Sequence, residues 1–577
     1  MGYMESYKRW VDNPYFDEST RAELAAIADN PKEIEDRFYQ DLAFGTGGLR
    51  GVTGAGTNRM NIYTVRRATQ GLANYILKQN CGGAEMGVAI AHDSRRFSPE
   101  FTEAAALVLC GNGIKVYLFD GLRPTPTLSF AVRQLGCIAG IVVTASHNPP
   151  EYNGYKVYWS DGGQIPYPRD EEVITEVNAV EDFSAIPSMP MAEARAKGLL
   201  VRLDSELDDA YIANVKAQIV SPDTIQKVGD SFKIVYTPLH GTGGVHVPRV
   251  LREVGFKQVY VVPEQAAPDG AFPTVDYPNP EEPKAFTLAM KLADEVGADI
   301  VCATDPDADR VGAVVRDNTG AYVILTGNMT GVLIAEYILS HKKAAGTLPV
   351  NSAIVSTIVS TDMAKKIAAA YGAAYFDVLT GFKYIGEKIK EFEQENSHTY
   401  QFGFEESYGC LAGTYARDKD AVVATMLICE IAAAYKLRGM SLYEGLQEMY
   451  AKYGFYKETI RSITMKGVEG VESIKQMMRA LREAPPAQVG GVDVAETRDY
   501  QTGVVTYANG ATMPTGLPVS DVLYFVMADE SWFAIRPSGT EPKIKIYFGV
   551  KGANQADADE KLTELANAAM AAVQAER

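Results

Sequence analysis

The sequence predicts an α/β protein of several domains: three α/β units with mixed sheets, each giving a loop to one shared cleft, and a smaller C-terminal α+β unit. Three observations carry this. Short β-branched runs alternate with helical patterns over most of the chain. Three of those runs end in polar loops, around Ser146, Asp305 and Glu405, where an open α/β sheet binds its ligands. From about residue 456 the pattern changes to a helix, a polar loop and two late strands. A length of 577 residues suits three to five domains at roughly 100–200 residues each.

Taken in order, the first forty residues are rich in charge and alanine at helical spacing and read as a helical lead-in. GVAIAHD (87–93), KVYLFD (115–120) and AGIVVTAS (139–146) read as strands, with FTEAAALVLC (101–110) a helix between the first two. FKIVYTPL (232–239), ADIVCATD (298–305), SAIVSTIVS (352–360) and TYQFGFEES (399–407) continue the strands. ESIKQMMRALREA is the late helix, and SWFAIR and KIKIYFGV are the late strands. Polar, Pro-containing stretches near 183–205, 317–322 and 452–460 are the expected joints, dividing the chain into 1–205, 206–322, 323–455 and 456–577.

The composition excludes several classes. Apolar content of 46% and charged content of 22% are those of a globular protein with a buried core. A net charge of −18 argues against nucleic acid, whose binding needs a basic face, but leaves room for a small anion held by a few cations in one cleft. Six cysteines without a C-x-x-C pair read as reduced thiols. The N-terminus lacks an apolar signal core, and AVVATMLIC (421–429) is far short of the ~20 residues that span a bilayer, so a cytoplasmic protein without membrane contact is expected.

Four loops carry chemistry. In VVTASHNPPEYNGYKVY (142–158), Pro149 and Pro150 force the chain out of the sheet and leave Ser146 at its edge, as suits a nucleophile; no Ser-His-Asp order accompanies it. In ATDPDADR (303–310), Asp305, Asp307 and Asp309 stand two apart after an apolar strand. Carboxylates so close repel unless a cation lies between them, and oxygen-only ligands suit a hard ion, Mg²⁺ or Ca²⁺. Arg310 adds a fork for phosphate or for the aspartates. FGFEESYGC (402–410) sets Glu405, Glu406 and Ser407 among glycines, chemistry that suits sugar hydroxyls. RPSGTEPKIK (536–545) gathers Arg536, Ser538, Gly539 and Thr540 in a tight turn before Lys543 and Lys545, an anion nest or a plain hairpin turn. FGTGGLRG (44–51) and LTGFKYIG (379–386) are further Gly-rich basic loops.

Together these segments resemble the α-D-phosphohexomutase superfamily, specifically its phosphoglucomutase branch, through T-A-S-H-N-P, D-P-D-A-D-R, F-E-E-S-Y-G and R-P-S-G-T-E-P in the family's order. The resemblance implies three related α/β domains and a smaller fourth around a central cleft. It implies that Ser146 is the phosphoserine and that Ser146, Asp305, Asp307 and Asp309 hold Mg²⁺. Glu405 and Ser407 would take sugar hydroxyls; Arg536, Ser538, Gly539 and Thr540 would grip the phosphate that is not reacting. Arg50 matches the arginine near the nucleophile, Lys156 a general base and Lys419 an acid–base group across the sugar, while Gly381, Lys383, His147 and Arg310 join the substrate set. Lys545 stands in for an arginine that many relatives carry on the strand after the phosphate loop.

The implied reaction interconverts glucose 1-phosphate and glucose 6-phosphate through glucose 1,6-bisphosphate, in a monomer or weak homo-oligomer. Lys156 could act as base only if its pKa fell from ~10.4 toward neutrality. Mannose and pentose phosphates remain alternative substrates, and a metal-dependent phosphatase or a non-catalytic sugar-phosphate binder remain alternative functions.

Overall fold

The computed structural model describes residues 2–45, 47–465, 467–538 and 543–575. Four sheets follow one another along the chain.

In space, the first sheet runs Gly48–Val52, Tyr152–Trp159, Ala139–Val143, Val88–His92, Val116–Phe119, Leu200–Leu203. The last four strands are parallel, while Tyr152–Trp159 returns antiparallel beside Ala139–Val143. The second sheet runs Tyr322–Leu325, Val311–Arg316, Ile300–Thr304, Lys233–Thr237, Gln258–Val261, and the third Ala374–Val378, Ser352–Thr357, Thr399–Phe404, Cys410–Ala412. Each again has a parallel set and one antiparallel return, after Ile300–Thr304 and after Thr399–Phe404. Thus the same device appears three times: a buried parallel strand, a chemistry-bearing loop, and an immediate antiparallel return.

Two of the strands that carry these loops, Ala139–Val143 and Ile300–Thr304, are buried along their length and Thr399–Phe404 is buried from Tyr400 on, as strands covered on both faces must be. Between the second and third sheets lies the helix Ala421–Leu437, buried from Ala421 to Ala433 and started by Asp420, whose carboxylate accepts the N–H of Val422 and Val423. It accounts for the oily stretch at 421–429. No helix among the described residues is long and apolar enough to cross a membrane.

The fourth sheet is antiparallel, with Phe455–Thr464, Lys543–Gly552, Trp532–Pro537 and Leu523–Met527 in order from one edge. The helices Gly467–Glu483 and Gln555–Ala575 pack against it. Three helices, Tyr3–Asp12, Glu18–Ala25 and Pro31–Phe38, form the expected lead-in; Trp10 stacks on Phe16 at 4.1 Å and meets Tyr63 of the first unit edge-on at 5.6 Å.

Three expectations need correction. Residues 317–321 are not a joint but the turn of a hairpin inside the second sheet, because Asp317 Oδ1 takes the N–H groups of Thr319 and Ala321; a boundary at 322 would cut the strand Tyr322–Leu325 from its sheet. The basic loop 44–51 runs into an edge strand, Gly48–Val52, and a side chain at Gly48 would meet the Tyr155 carbonyl oxygen at 2.0 Å. The segment 379–386 is a helix start: Gly381, at φ +124°, precedes Phe382–Glu395.

Candidate active site

The three loops meet at the base of a cleft of about 730 Å³, lined from all four units: Arg50, His147 and Lys156 from the first, Glu281 and Arg310 from the second, Gly381, Glu405, Ser407 and Lys419 from the third, Ser462, Arg536, Lys543 and Lys545 from the fourth.

Ser146 follows the strand Ala139–Val143 and donates from Oγ to Asp305 Oδ2 at 2.8 Å, joining the first two units. Asp305 ends the strand Ile300–Thr304; its Oδ1 accepts the N–H of Asp309 (3.1 Å) and of Arg310 (3.0 Å), which curls the loop around it. Asp307 Oδ2 accepts from Thr125 Oγ1 (2.9 Å) and from Lys156 Nζ (2.8 Å). Asp309 Oδ2 lies 3.5 Å from Lys156 Nζ and 3.2 Å from Lys419 Nζ. The three carboxylates are buried, with ligand oxygens within 4.8 Å of one another, and Oδ1 of Asp307 and of Asp309 accepts no hydrogen bond. An all-oxygen set with spare, desolvated acceptors fits a hard divalent cation.

The electrostatics follow from that packing. Burial, with Asp307 and Asp309 adding to it, pushes the Asp305 carboxyl well up. Burial, the largest single influence, acts in the same direction on Asp307, but the charge of Lys156 and hydrogen bonds to Asp305, Lys156 and Thr125 together hold that carboxyl low. Burial would lower the Lys156 ammonium, yet Asp307 and Asp309 raise it instead. A role as base would need Lys156 brought toward neutrality, whereas the two carboxylates that face it favour the ammonium form. Lys419 is raised against its burial by Asp309 and Asp418 in the same way. Burial, helped by Arg310 and Arg50, drives His147 well below its usual range, so its ring is neutral beside Ser146 Oγ, 3.2 Å away.

On the third unit, Glu405 Oε1 accepts the Gly381 N–H at 2.9 Å. Burial raises its carboxyl to about 7, against the pull of Lys419. Ser407 lines the cleft beside it. Arg310 reaches Glu281 Oε1 at 2.7 Å from the cleft wall. Lys383 is placed differently: its ammonium lies 3.6 Å from Asp170 Oδ2 of the first unit and does not line the cleft. On the fourth unit, Arg536, Lys545 and Ser462 stand abreast on three neighbouring strands, so their alternation puts them on one face. Ser538 donates its N–H to the Lys543 carbonyl at 2.7 Å; Gly539 and Thr540 lie outside the described residues.

Sequence reasoning missed several partners. Tyr158 donates to Asp418 Oδ2 at 2.6 Å, and Asp418 Oδ1 takes Lys419 Nζ at 3.0 Å, linking the first and third units behind the lysines. Glu406, flagged only as part of its loop, takes Thr357 Oγ1 at 2.9 Å. Asp418 could have been found as the neighbour of Lys419 in ARDKD; Thr125 and Tyr158 gave no local signal.

Four family models match the chain in order: the phosphoglucomutase/phosphomannomutase alpha/beta/alpha domains I, II and III at residues 41–183, 209–320 and 326–453, and the C-terminal domain at 477–568. The chain belongs to the phosphoglucomutase/phosphomannomutase family. It is therefore a phosphohexomutase, with that family's four-domain architecture. Among its relatives, the phosphoglucomutase of Staphylococcus aureus is 36% identical over 538 residues, covering 92% of this chain and 94% of that protein. The phosphoglucomutase of Staphylococcus epidermidis is 37% identical over 520 residues, covering 89% and 92%. Solved structures share the fold. A phosphoglucomutase/phosphomannomutase family protein of Burkholderia thailandensis superposes with a TM-score of 0.66 at 21% identity, over 92% of this chain and 97% of that one. The open form of parafusin, a phosphoglucomutase of Paramecium, gives 0.65 at 18% identity, over 93% and 95%.

Proposed function

We propose that this phosphohexomutase interconverts glucose 1-phosphate and glucose 6-phosphate, with Ser146 carrying the phosphoryl group and Asp305, Asp307 and Asp309 holding Mg²⁺. The observation that carries the proposal is the 2.8 Å contact of Ser146 Oγ with Asp305, beside a cleft that His147, Lys156 and Arg310 line together with Arg536, Lys543 and Lys545. A hydroxyl beside a carboxylate cluster, facing a separate set of cations, suits a ligand with a phosphate at each end.

When bound, Mg²⁺ supplies neutralisation of charge on the transferring phosphoryl oxygens. Phospho-Ser146 passes its phosphoryl group to the free hydroxyl of the bound sugar monophosphate, and the hydroxyl proton ends, in the balance, on Ser146 Oγ. The product, glucose 1,6-bisphosphate, turns in the cleft, and Ser146 takes back the other phosphoryl group. Lys156 and Lys419, whose ammonium forms the neighbouring carboxylates favour, bring positive charge toward the transferring group. Arg50 and Arg310 add charge at the cleft wall. Glu405 and Ser407 hold the sugar hydroxyls in either orientation. Arg536 and Lys545, with Ser538 and, by the resemblance of their motif, Gly539 and Thr540, grip the idle phosphate. Five of the six thiols are buried, which agrees with a reducing cytoplasm.

Purified protein is to be assayed with glucose 1-phosphate, mannose 1-phosphate and ribose 1-phosphate, with Mg²⁺ and catalytic glucose 1,6-bisphosphate. The expected result is the highest kcat/KM for glucose 1-phosphate. Steady phosphate release without isomerisation would contradict the mutase reading.

A further inference from the structure

Ser146 stands at φ +52°, a left-handed conformation that a serine keeps only when its surroundings enforce it. The side chain that enforces it takes no part in the reaction described above. Arg95, 1% exposed, directs its guanidinium into the loop that follows Ser146. Nη2 donates to the carbonyl oxygens of Ser146 (2.5 Å) and Asn148; Nη1 donates to those of Pro149 (2.7 Å) and Tyr152 (3.0 Å). The remaining nitrogen, Nε, lies 3.3 Å from Asp93 Oδ2. The same Asp93 oxygen accepts from Thr144 Oγ1 at 2.6 Å, and Thr144 Oγ1 in turn accepts the Ser146 N–H at 2.8 Å. Asp93 Oδ1 accepts the Arg95 N–H and the Ser98 hydroxyl, each at 2.9 Å. From the second unit, the Phe272 ring lies 5.0 Å from the guanidinium carbon.

Both backbone polar groups of Ser146 are thus tied to one buried ion pair: the carbonyl directly by Arg95, the N–H through Thr144 by Asp93. A buried pair of this kind adds little net stability. What a planar fork does that an ammonium cannot is hold four carbonyls in fixed directions.

We infer that Arg95, oriented by Asp93, is the positioning residue for Ser146: it sets the loop conformation that aims Oγ at the aspartate cluster and the cleft, without itself meeting the substrate. The inference rests on the reading of Ser146 as phosphoryl carrier. It has a specific consequence. Transfer needs the phosphoryl group in line with a bound hydroxyl, whereas binding of the sugar phosphate depends on groups elsewhere in the cleft. Loosening the loop should cost transfer and spare binding.

The test compares wild type, Arg95→Lys and Ser146→Ala in labelling from radioactive glucose 1,6-bisphosphate, in transfer of the label to glucose 1-phosphate, and in steady-state kinetics. Arg95→Lys should fold, lower kcat by about 100-fold, leave KM for glucose 1-phosphate within about two-fold, and raise hydrolysis of the labelled enzyme relative to transfer. In Arg95→Ala, millimolar guanidinium should restore part of kcat, and ethylammonium should not. Arg37→Lys, which removes a fork between Glu23 and Glu33 in the lead-in, controls for stability alone: its Tm should fall with kcat unchanged. If Arg95→Lys does not fold, Asp93→Asn carries the same test. A folded variant with wild-type kcat, or with a raised KM and unchanged kcat, overturns the inference. Wild-type enzyme that turns over without labelling Ser146 removes the phosphoserine reading, and the inference with it; normal labelling with unimpaired transfer by Arg95→Lys removes the inference alone.

Discussion

At the buried end of the site, Ser146, Asp305, Asp307 and Asp309 are no more than 3% exposed, and groups from three units hold them: Thr125 and Lys156, the aspartate loop itself, and Lys419 with Asp418 behind it. At the other end, on the fourth unit, Arg536, Lys543 and Lys545 stand half-buried on one sheet and line the cleft. The first arrangement is fixed before a ligand arrives, in a setting of low polarisability where each charge counts for more. The second leaves its cations only partly covered, although burial already lowers the Lys545 ammonium, so a phosphate gripped there meets a less enclosed setting. A sugar that must turn around between two transfers needs a rigid end for chemistry and a forgiving end for holding.

Substitutions can break this comparison or sharpen it. Asp307→Asn should have the largest effect, lowering kcat by about 100-fold or more, about 3 kcal/mol, together with metal affinity. Wild-type metal dependence in that variant would undo the rigid end. Arg536→Ala should weaken kcat/KM by about ten-fold, carried mainly by KM, as removal of a charge-assisted phosphate contact does. A loss confined to kcat would mean that the two ends do not divide their labour.

The seam between the third and fourth units, away from the cleft, should be sensitive to pH. Glu458 lies on Phe455–Thr464, the strand that leads from the third unit into the fourth sheet, and takes Asn328 Nδ2 at 3.2 Å. Burial raises its carboxyl from 4.5 to about 7. Between those values the folded state binds the proton and the unfolded state does not, so stability falls as pH rises from about 4.5 through about 7, by about 3 kcal/mol. Thermal melts of Glu458→Gln should show that slope reduced; an unchanged slope would clear Glu458 of the role. The smallest effect belongs to Tyr158→Phe, which removes the Asp418 contact and should cost about 1 kcal/mol in stability with a few-fold loss of kcat. Unchanged kcat would make that contact purely structural.

What could be read from the sequence was what is local. Asp305, Asp307 and Asp309 fall within one turn, and the prolines after Ser146 announce its exit from the sheet, so both could be read without a fold. The partners that complete the site could not. Thr125 reaches Asp307 across 182 positions and Tyr158 reaches Asp418 across 260, and only the packing of three sheets brings them together. The charge on Lys156 was out of reach for the same reason, since the carboxylates that raise it come from another unit. Short apolar strands between clear breakers were legible; Gly48–Val52, with two glycines among its five residues, was not. Residues 317–321 misled because a hairpin turn and a linker use the same polar residues.

The central claim is that one phosphoryl group resides on Ser146 during turnover. Peptide mass spectrometry of protein incubated with glucose 1,6-bisphosphate and Mg²⁺ tests it directly. The account expects a single phosphoryl group on Ser146, removed when glucose 1-phosphate is added, and neither label nor turnover in Ser146→Ala. A phosphoryl group that glucose 1-phosphate cannot remove, or isomerisation by Ser146→Ala, would contradict it.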